Sequence, residues 1–161
     1  MYEDEFLQIV DKIISNRKFL KLKDEKHHHN SNRYKHMLDV SYKTYKYCKK
    51  KNLDYISATR AAVMHDFYFD TDFEKKGKKI LKHYEIAIEN AKKLGNLSEK
   101  EENIIASHMF PVGGKLPKYK ESIVVDVIDD IVSTKERLNG DFSKVRFAIK
   151  LGVILILGIF R

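Results

Sequence analysis

The chain has 161 residues, enough for one domain of the usual ~100–200 residues, and at 43% hydrophobic it carries a core's worth of apolar side chains, which excludes intrinsic disorder. Seven Gly and two Pro are too few for a turn-rich β sandwich or barrel, and one cysteine, Cys48, excludes an internal disulfide framework and a cysteine-based zinc site. With 31 Lys and Arg against 23 Asp and Glu, the formal charge of +8 favours anionic partners without choosing among nucleic acid, an acidic membrane surface and a phosphorylated small molecule.

The first residues, Met1 to Phe6, carry three acidic groups and no apolar segment, so a secretory signal is not expected and the setting is expected to be reducing and cytoplasmic. Phe6, Ile9, Val10 and Ile13 then follow the spacing of one buried helix face. Lys21 to Asn32 is polar, carries His27, His28 and His29, and reads as a surface loop. Its Ser31 or Asn32 suits the N-cap of the next helix. That helix runs from about Arg33 to Lys51, with Tyr34, Met37, Leu38, Ser41, Tyr45 and Cys48 along one side. Cys48 reads as a packing residue.

A third helix starts near Asp54 and presents Ala58, Ala61, Ala62 and His65 at helical spacing, small residues that let helices approach closely. A fourth presents His83, Ile86, Ala87, Asn90, Ala91 and Leu94, with Gly95 expected at its C′ position. A fifth opens on Ser98-Glu99-Lys100-Glu101, a capping box, and presents Glu101, Ile104, Ile105 and His108. Pro111, Gly113, Gly114 and Pro117 mark an ordered loop. The sixth helix, about Lys120 to Leu138, is expected to turn Val124, Val127, Ile128 and Ile131 inward.

The fold expected is therefore all-α: a compact single-domain bundle of six or seven helices. Residues 1–30 form an N-terminal helix and polar loop, 31–140 the helical core, and 141–161 a C-terminal apolar segment of the same domain or an interface. The apolar run Leu151 to Phe160 would span about 15 Å as a helix, too short for a membrane crossing of roughly 20 residues. Packing on the domain or on a second copy of the chain is the simpler expectation. Contact with a membrane surface is the alternative, since Lys144, Arg146, Lys150 and Arg161 flank the run.

His65, His83 and His108 each fall in phase with an apolar face, on three different helices. Imidazoles converging from separate helices are a way for helical folds to build metal sites. His65 is followed by Asp66, a nitrogen and a carboxylate oxygen placed together, and His36 stands beside Leu38 and Val40 in the second helix. For a second carboxylate the sixth helix offers Asp126, Asp129 and Asp130. Periodicity selects Asp129, at the border of the apolar stripe, and assigns Asp126 and Asp130 with Ser122 and Thr134 to a solvent face.

The order His36, His65-Asp66, His83, His108, Asp129 resembles the HD superfamily of metal-dependent phosphohydrolases, in the form with extra histidines that usually holds two metals. The resemblance covers about Asn32 to Leu138. It rests also on Arg33-Tyr34-Lys35-His36 opening a helix, Ala61-Ala62-Val63-Met64-His65-Asp66 closing one, and Ser107-His108-Met109-Phe110-Pro111. The chain is similar to small bacterial stand-alone HD proteins, some of which act on nucleotides or dinucleoside polyphosphates.

The resemblance implies that His36, His65, Asp66 and Asp129 hold a first metal, and that Asp66, as the catalytic bridge positioning the nucleophilic water, reaches a second held by His83 and His108. Two divalent first-row ions are implied, with iron or manganese favoured by nitrogen and oxygen ligands lacking thiolate. The implied activity is hydrolysis of a small phosphorylated compound, a nucleotide or dinucleotide, by metal-activated water. After the His-Asp pair the run reads Phe67-Tyr68-Phe69-Asp70, without the lysine that many relatives carry. Phosphate-facing cations are therefore expected from Arg33, Lys115 and Lys118. The alternative reading is a non-catalytic HD-fold module that senses a nucleotide or scaffolds a complex. Nucleic-acid binding is not expected, because no recognition-helix or RNA-binding motif is present.

Overall fold

The computed structural model describes residues 2–27, 31–76 and 82–137. The expected C-terminal segment 141–161, with its apolar run and flanking basic residues, lies outside them, as do His28 and His29.

The fold is all-α. Among the described residues it comprises α1 (Asp4–Ile14), α2 (Arg17–Leu20), a 3-10 turn (Lys21–Lys23), α3 (Arg33–Lys50), α4 (Tyr55–Met64), α5 (Asp70–Lys76), α6 (His83–Lys92), α7 (Glu99–Ser107) and α8 (Lys120–Arg137). That is eight α-helices where the sequence pattern predicts six or seven. The additions are short α2 and α5, which present too few turns for a periodicity signal. The polar stretch before α3 closes on itself as a two-residue antiparallel ladder of β1 (Lys26–His27) and β2 (Ser31–Asn32), pairing Lys26 with Asn32 and His27 with Ser31.

Local chemistry sets the helix starts. Asn32 accepts a hydrogen bond from the Lys35 amide at 2.8 Å, and Asp54 accepts one from the Ser57 amide at 3.1 Å. At α7 the capping box closes both ways: the Ser98 hydroxyl accepts from the Glu101 amide, and the Glu101 carboxylate accepts from the Ser98 amide at 2.8 Å. Arg60 donates to the same carboxylate at 2.7 Å, so the start of α7 is also tied to α4. α6 ends at Lys92 with Lys93 as its cap, so Gly95 lies beyond the C′ position assigned to it.

Four helices form the frame. α3 packs on α4 and α8, α7 packs on α4 and α8, and α1 and α6 dock onto α4 and α7 respectively. The core runs through Phe6, Val10, Met37, Val40, Tyr45, Ala58, Ala61, Ala62, Ile104, Ile105, Val125 and Ile128. Alanines at the facing positions of α4 let α3 and α7 come close. Cys48 is fully buried, and burial first, with Glu121 and Asp54 nearby, pushes its thiol up to about 12, as suits a packing residue.

α8 departs from its expected orientation. Asp126, Asp130 and Ser122, assigned to a solvent face, are buried, whereas Val127 and Ile131 are only half-buried. The helix is packed on α3, α4 and α7 together, so its buried arc is wider than the single apolar stripe that periodicity assumes.

Candidate metal centre

The histidines and carboxylates singled out from the sequence meet where α3 begins and α4 and α7 end. His36 sits in the first turn of α3, His65 caps the C-terminus of α4, and His108 caps that of α7. Asp66 follows directly, His83 opens α6, and Asp129 lies within α8. All six are buried. The imidazoles form a continuous row: ring centroids are 5.4 Å apart for His36 and His65, 4.9 Å for His65 and His108, and 4.8 Å for His108 and His83.

Two donor groups result, His36–His65–Asp66 and Asp66–His83–His108. Asp66 belongs to both through different oxygens. Its Oδ2 is 3.8 Å from His65 Nε2, while its Oδ1 is 2.9 Å from His83 Nε2 and 3.3 Å from His108 Nε2. Asp129 Oδ1 joins the first group, 3.0 Å from His36 Nε2 and 3.6 Å from His65 Nε2, and accepts a hydrogen bond from the Ser133 hydroxyl at 3.2 Å.

The helix ends fix which nitrogen faces inward. His65 Nδ1 donates to the Ala62 carbonyl and His108 Nδ1 to the Ile105 carbonyl, each at 2.7 Å and each three residues back. The last carbonyls of a helix lack partners within it, so a histidine at the C-cap can satisfy one and leave its Nε2 lone pair directed away. Both Nε2 atoms consequently face the cluster.

Burial alone would raise the Asp66 carboxyl, but the imidazoles of His65, His83 and His108 outweigh it and hold the group well below the ordinary carboxylate range. Asp129 is likewise held low, His36 and His65 outweighing its burial. Burial pushes His108 down, towards its neutral form. His36 goes the other way. Burial opposes its charge, yet hydrogen bonds to Asp129 and to Glu136 bring it up to about 10.

A divalent ion fits this donor set. His65 Nε2 is buried without a hydrogen-bond partner, a costly state for an atom with a lone pair that a cation would relieve, and Asp66 Oδ1, though close to two imidazoles, makes no well-aligned hydrogen bond. His83 Nε2 and His108 Nε2 approach to 2.7 Å beside that same carboxylate oxygen. Donors on one first-row ion at roughly 2.1 Å lie about 3.0 Å apart at an octahedral angle and about 3.4 Å at a tetrahedral one. The separations found here bracket those values.

The three phosphate-facing candidates are placed differently. Arg33 is buried, its guanidinium 3.9 Å above the Tyr68 ring and paired with Glu25 at 3.1 Å and Asp70 at 3.0 Å. Tyr68 in turn lies 4.9 Å from the His83 ring, so Arg33 reaches the cluster's wall through an aromatic side chain. Lys115 and Lys118 are exposed on a loop that turns back along α7. The Lys115 amide donates to Ala106 and the Lys118 amide to the Asn103 side chain, about 7 Å along the helix from His108. Closeness in sequence to His108 suggests a position at the mouth of the site for both lysines, yet the backbone carries Lys118 away from that helix end.

Sequence reasoning misses Tyr68 and Glu136. Glu136 is signalled only by its spacing, seven residues after Asp129 on the same helix face.

The HD domain family model matches residues 33–133, more than half of the chain. No curated protein and no solved structure gives a significant match.

Proposed function

The chain belongs to the HD domain family, in general metal-dependent phosphohydrolases, and from that membership we propose that it hydrolyses a small phosphorylated compound, a nucleotide or dinucleotide, at a two-metal centre. His36, His65, Asp66 and Asp129 would hold one ion, and Asp66, His83 and His108 the other, with iron or manganese favoured by the nitrogen and oxygen donors. When bound, such ions lower the pKa of water towards neutrality and offset charge on phosphoryl oxygens.

The observation that carries this reading is the sharing of Asp66. One buried carboxylate faces two imidazole groups with separate oxygens, Oδ2 towards His65 and Oδ1 towards His83 and His108. The protein's own part is preorganisation. Ala62 and Ile105 hold two imidazoles with Nε2 inward, Ser133 orients Asp129, and Tyr68 backs His83. Of the three cations expected to meet substrate phosphate, Arg33 and Lys115 are retained in this proposal, and Lys118, carried away from the helix end that bears His108, is not. Arg33 is the more firmly held of the two.

The test is elemental analysis of tag-free protein purified without chelator, beside Asp66→Ala, with turnover of nucleotide and dinucleotide substrates. Near two ions per chain, with both metal and turnover lost in the variant, supports the proposal. Metal that the variant retains, with turnover unchanged, overturns it. Metal without turnover of any phosphorylated substrate favours a sensing or scaffolding module.

A further inference from the structure

Glu136 enters neither donor group, yet its carboxylate meets His36, a ligand candidate that carboxylates flank on both ring nitrogens. It lies in the last turn of α8, largely buried, with Oε2 3.0 Å from His36 Nδ1. On the other side of the ring His36 Nε2 faces Asp129 Oδ1, also at 3.0 Å. The three side chains therefore form a line, Glu136–His36–Asp129, whose two carboxylates come from one helix. Seven residues of α-helix separate them by about 10 Å, close to two turns, which is room for one imidazole between their tips.

His65 and His108 lean on backbone carbonyls through the same ring nitrogen, whereas His36 leans on a carboxylate. A carboxylate is the stronger acceptor. It fixes the imidazole with its proton on Nδ1 and makes the opposite Nε2 a better donor to a cation.

We infer that Glu136 is the positioning residue for His36, setting the affinity of the centre that His36 shares with His65, Asp66 and Asp129. The inference rests on the metal-binding reading above. It adds that the reach of the functional machinery along α8 extends one residue before the helix ends, beyond the stretch matched to the family model. Glu136 touches neither substrate nor ion in this role. It acts through the ring of His36.

The test is zinc titration of the chelator-stripped full chain against a competing chelator, for wild type, Glu136→Ala, Glu136→Gln and Asp129→Asn. Glu136→Ala is expected to weaken, by about 10–100-fold, the same binding step that Asp129→Asn weakens, leaving the other step unchanged. Glu136→Gln keeps an acceptor oxygen but loses its charge, so a smaller loss, about tenfold, is expected. In the zinc-loaded protein, nitrogen-edited NMR should find the His36 Nδ1 proton protected from exchange in wild type and the Gln variant, and exposed in the Ala variant. Zinc affinity unchanged in both variants overturns the inference even if their thermal midpoints fall, since that pattern belongs to a helix-end packing role. Should the Ala variant fail to fold, unchanged affinity in the Gln variant is sufficient to overturn it. Wild type that takes up no zinc overturns both this inference and the reading beneath it, whereas uptake with unaffected variants overturns this one alone.

Discussion

His65 and His108 acquire their orientation from the same local device, a C-cap imidazole bonded to a carbonyl three residues back. Each helix end thereby satisfies one of its own orphan carbonyls and turns the ring's Nε2 towards the cluster. Asp129 depends on its setting instead, since its Oδ1 faces two imidazoles and the Ser133 hydroxyl. Asp126 and Asp130 are as buried as Asp129, so burial does not distinguish the three. Contact with His36 and His65 does. Asp129→Asn is expected to lower metal affinity by more than about 100-fold, above the 10–100-fold cost of losing a supporting partner, with a smaller effect for Asp126→Asn. Equilibrium dialysis against a first-row ion checks the ranking, and an equal loss in both variants would refute the role given to Asp129.

At the scale of elements, the ends of helices do most of the positioning. α1 carries no ligand candidate but is fastened to α3 and α4 by Glu5, which accepts from Tyr45 at 2.6 Å and Tyr55 at 2.8 Å and pairs with Lys49. The hydrogen bond from Lys49, followed by those from Tyr45 and Tyr55, lowers the Glu5 carboxyl from 4.5 to about 2. A depressed carboxyl stabilises the fold above its unfolded value, and that contribution is lost as pH falls through the folded one. Wild type should therefore lose more of its thermal midpoint than Glu5→Gln between pH 4.5 and about 2, as circular dichroism would record. Solvent keeps the difference small, because Glu5 is exposed.

The loop after α7 is fixed from within by Asn103, whose amide donates to Leu116 and whose oxygen accepts from the Lys118 amide and the Ser122 hydroxyl. Gly114 lies against α7 with a φ of 77°, and a Cβ there would meet the Ala106 carbonyl oxygen at 2.5 Å. That close approach, at a backbone angle other residues avoid, is why the loop runs back along the helix.

At the scale of the molecule, the apolar core and the buried polar cluster share the same helices. α3 and α4 carry core residues through most of their length and ligand candidates at one end, so packing fixes the cluster's geometry. Phe6 lies at the far side of this arrangement, fully buried against Tyr2, Tyr42 and Tyr45. Phe6→Ala is expected to lower stability by about 3–5 kcal/mol in urea unfolding, with unchanged metal affinity per folded molecule. A parallel loss of affinity would mean that α1 reaches the cluster through α4. Among the described residues, no helix is long and apolar enough to cross a membrane.

The sequence by itself determined the all-α class and the starts of α3, α4 and α7, which follow from spacing along one helix and from caps within a turn or so of chain, both local. The six ligand candidates are legible as a set only through the resemblance to a known family, since spacing alone assigns Asp126 and Asp130 to solvent and does not separate them correctly from Asp129. Local spacing also carries the burial of His65, His83 and His108. Tertiary structure decided which faces of α8 are covered, because that depends on how many helices surround it. It decided that Arg33 is enclosed by Glu25, Asp70 and Tyr68, and that the loop carrying Lys118 turns away from His108. The pairing of Glu136 with a histidine a hundred residues earlier was likewise settled by tertiary structure. Such contacts join residues distant along the chain, and their geometry is set by the packing angles of whole helices, which no short-range pattern encodes.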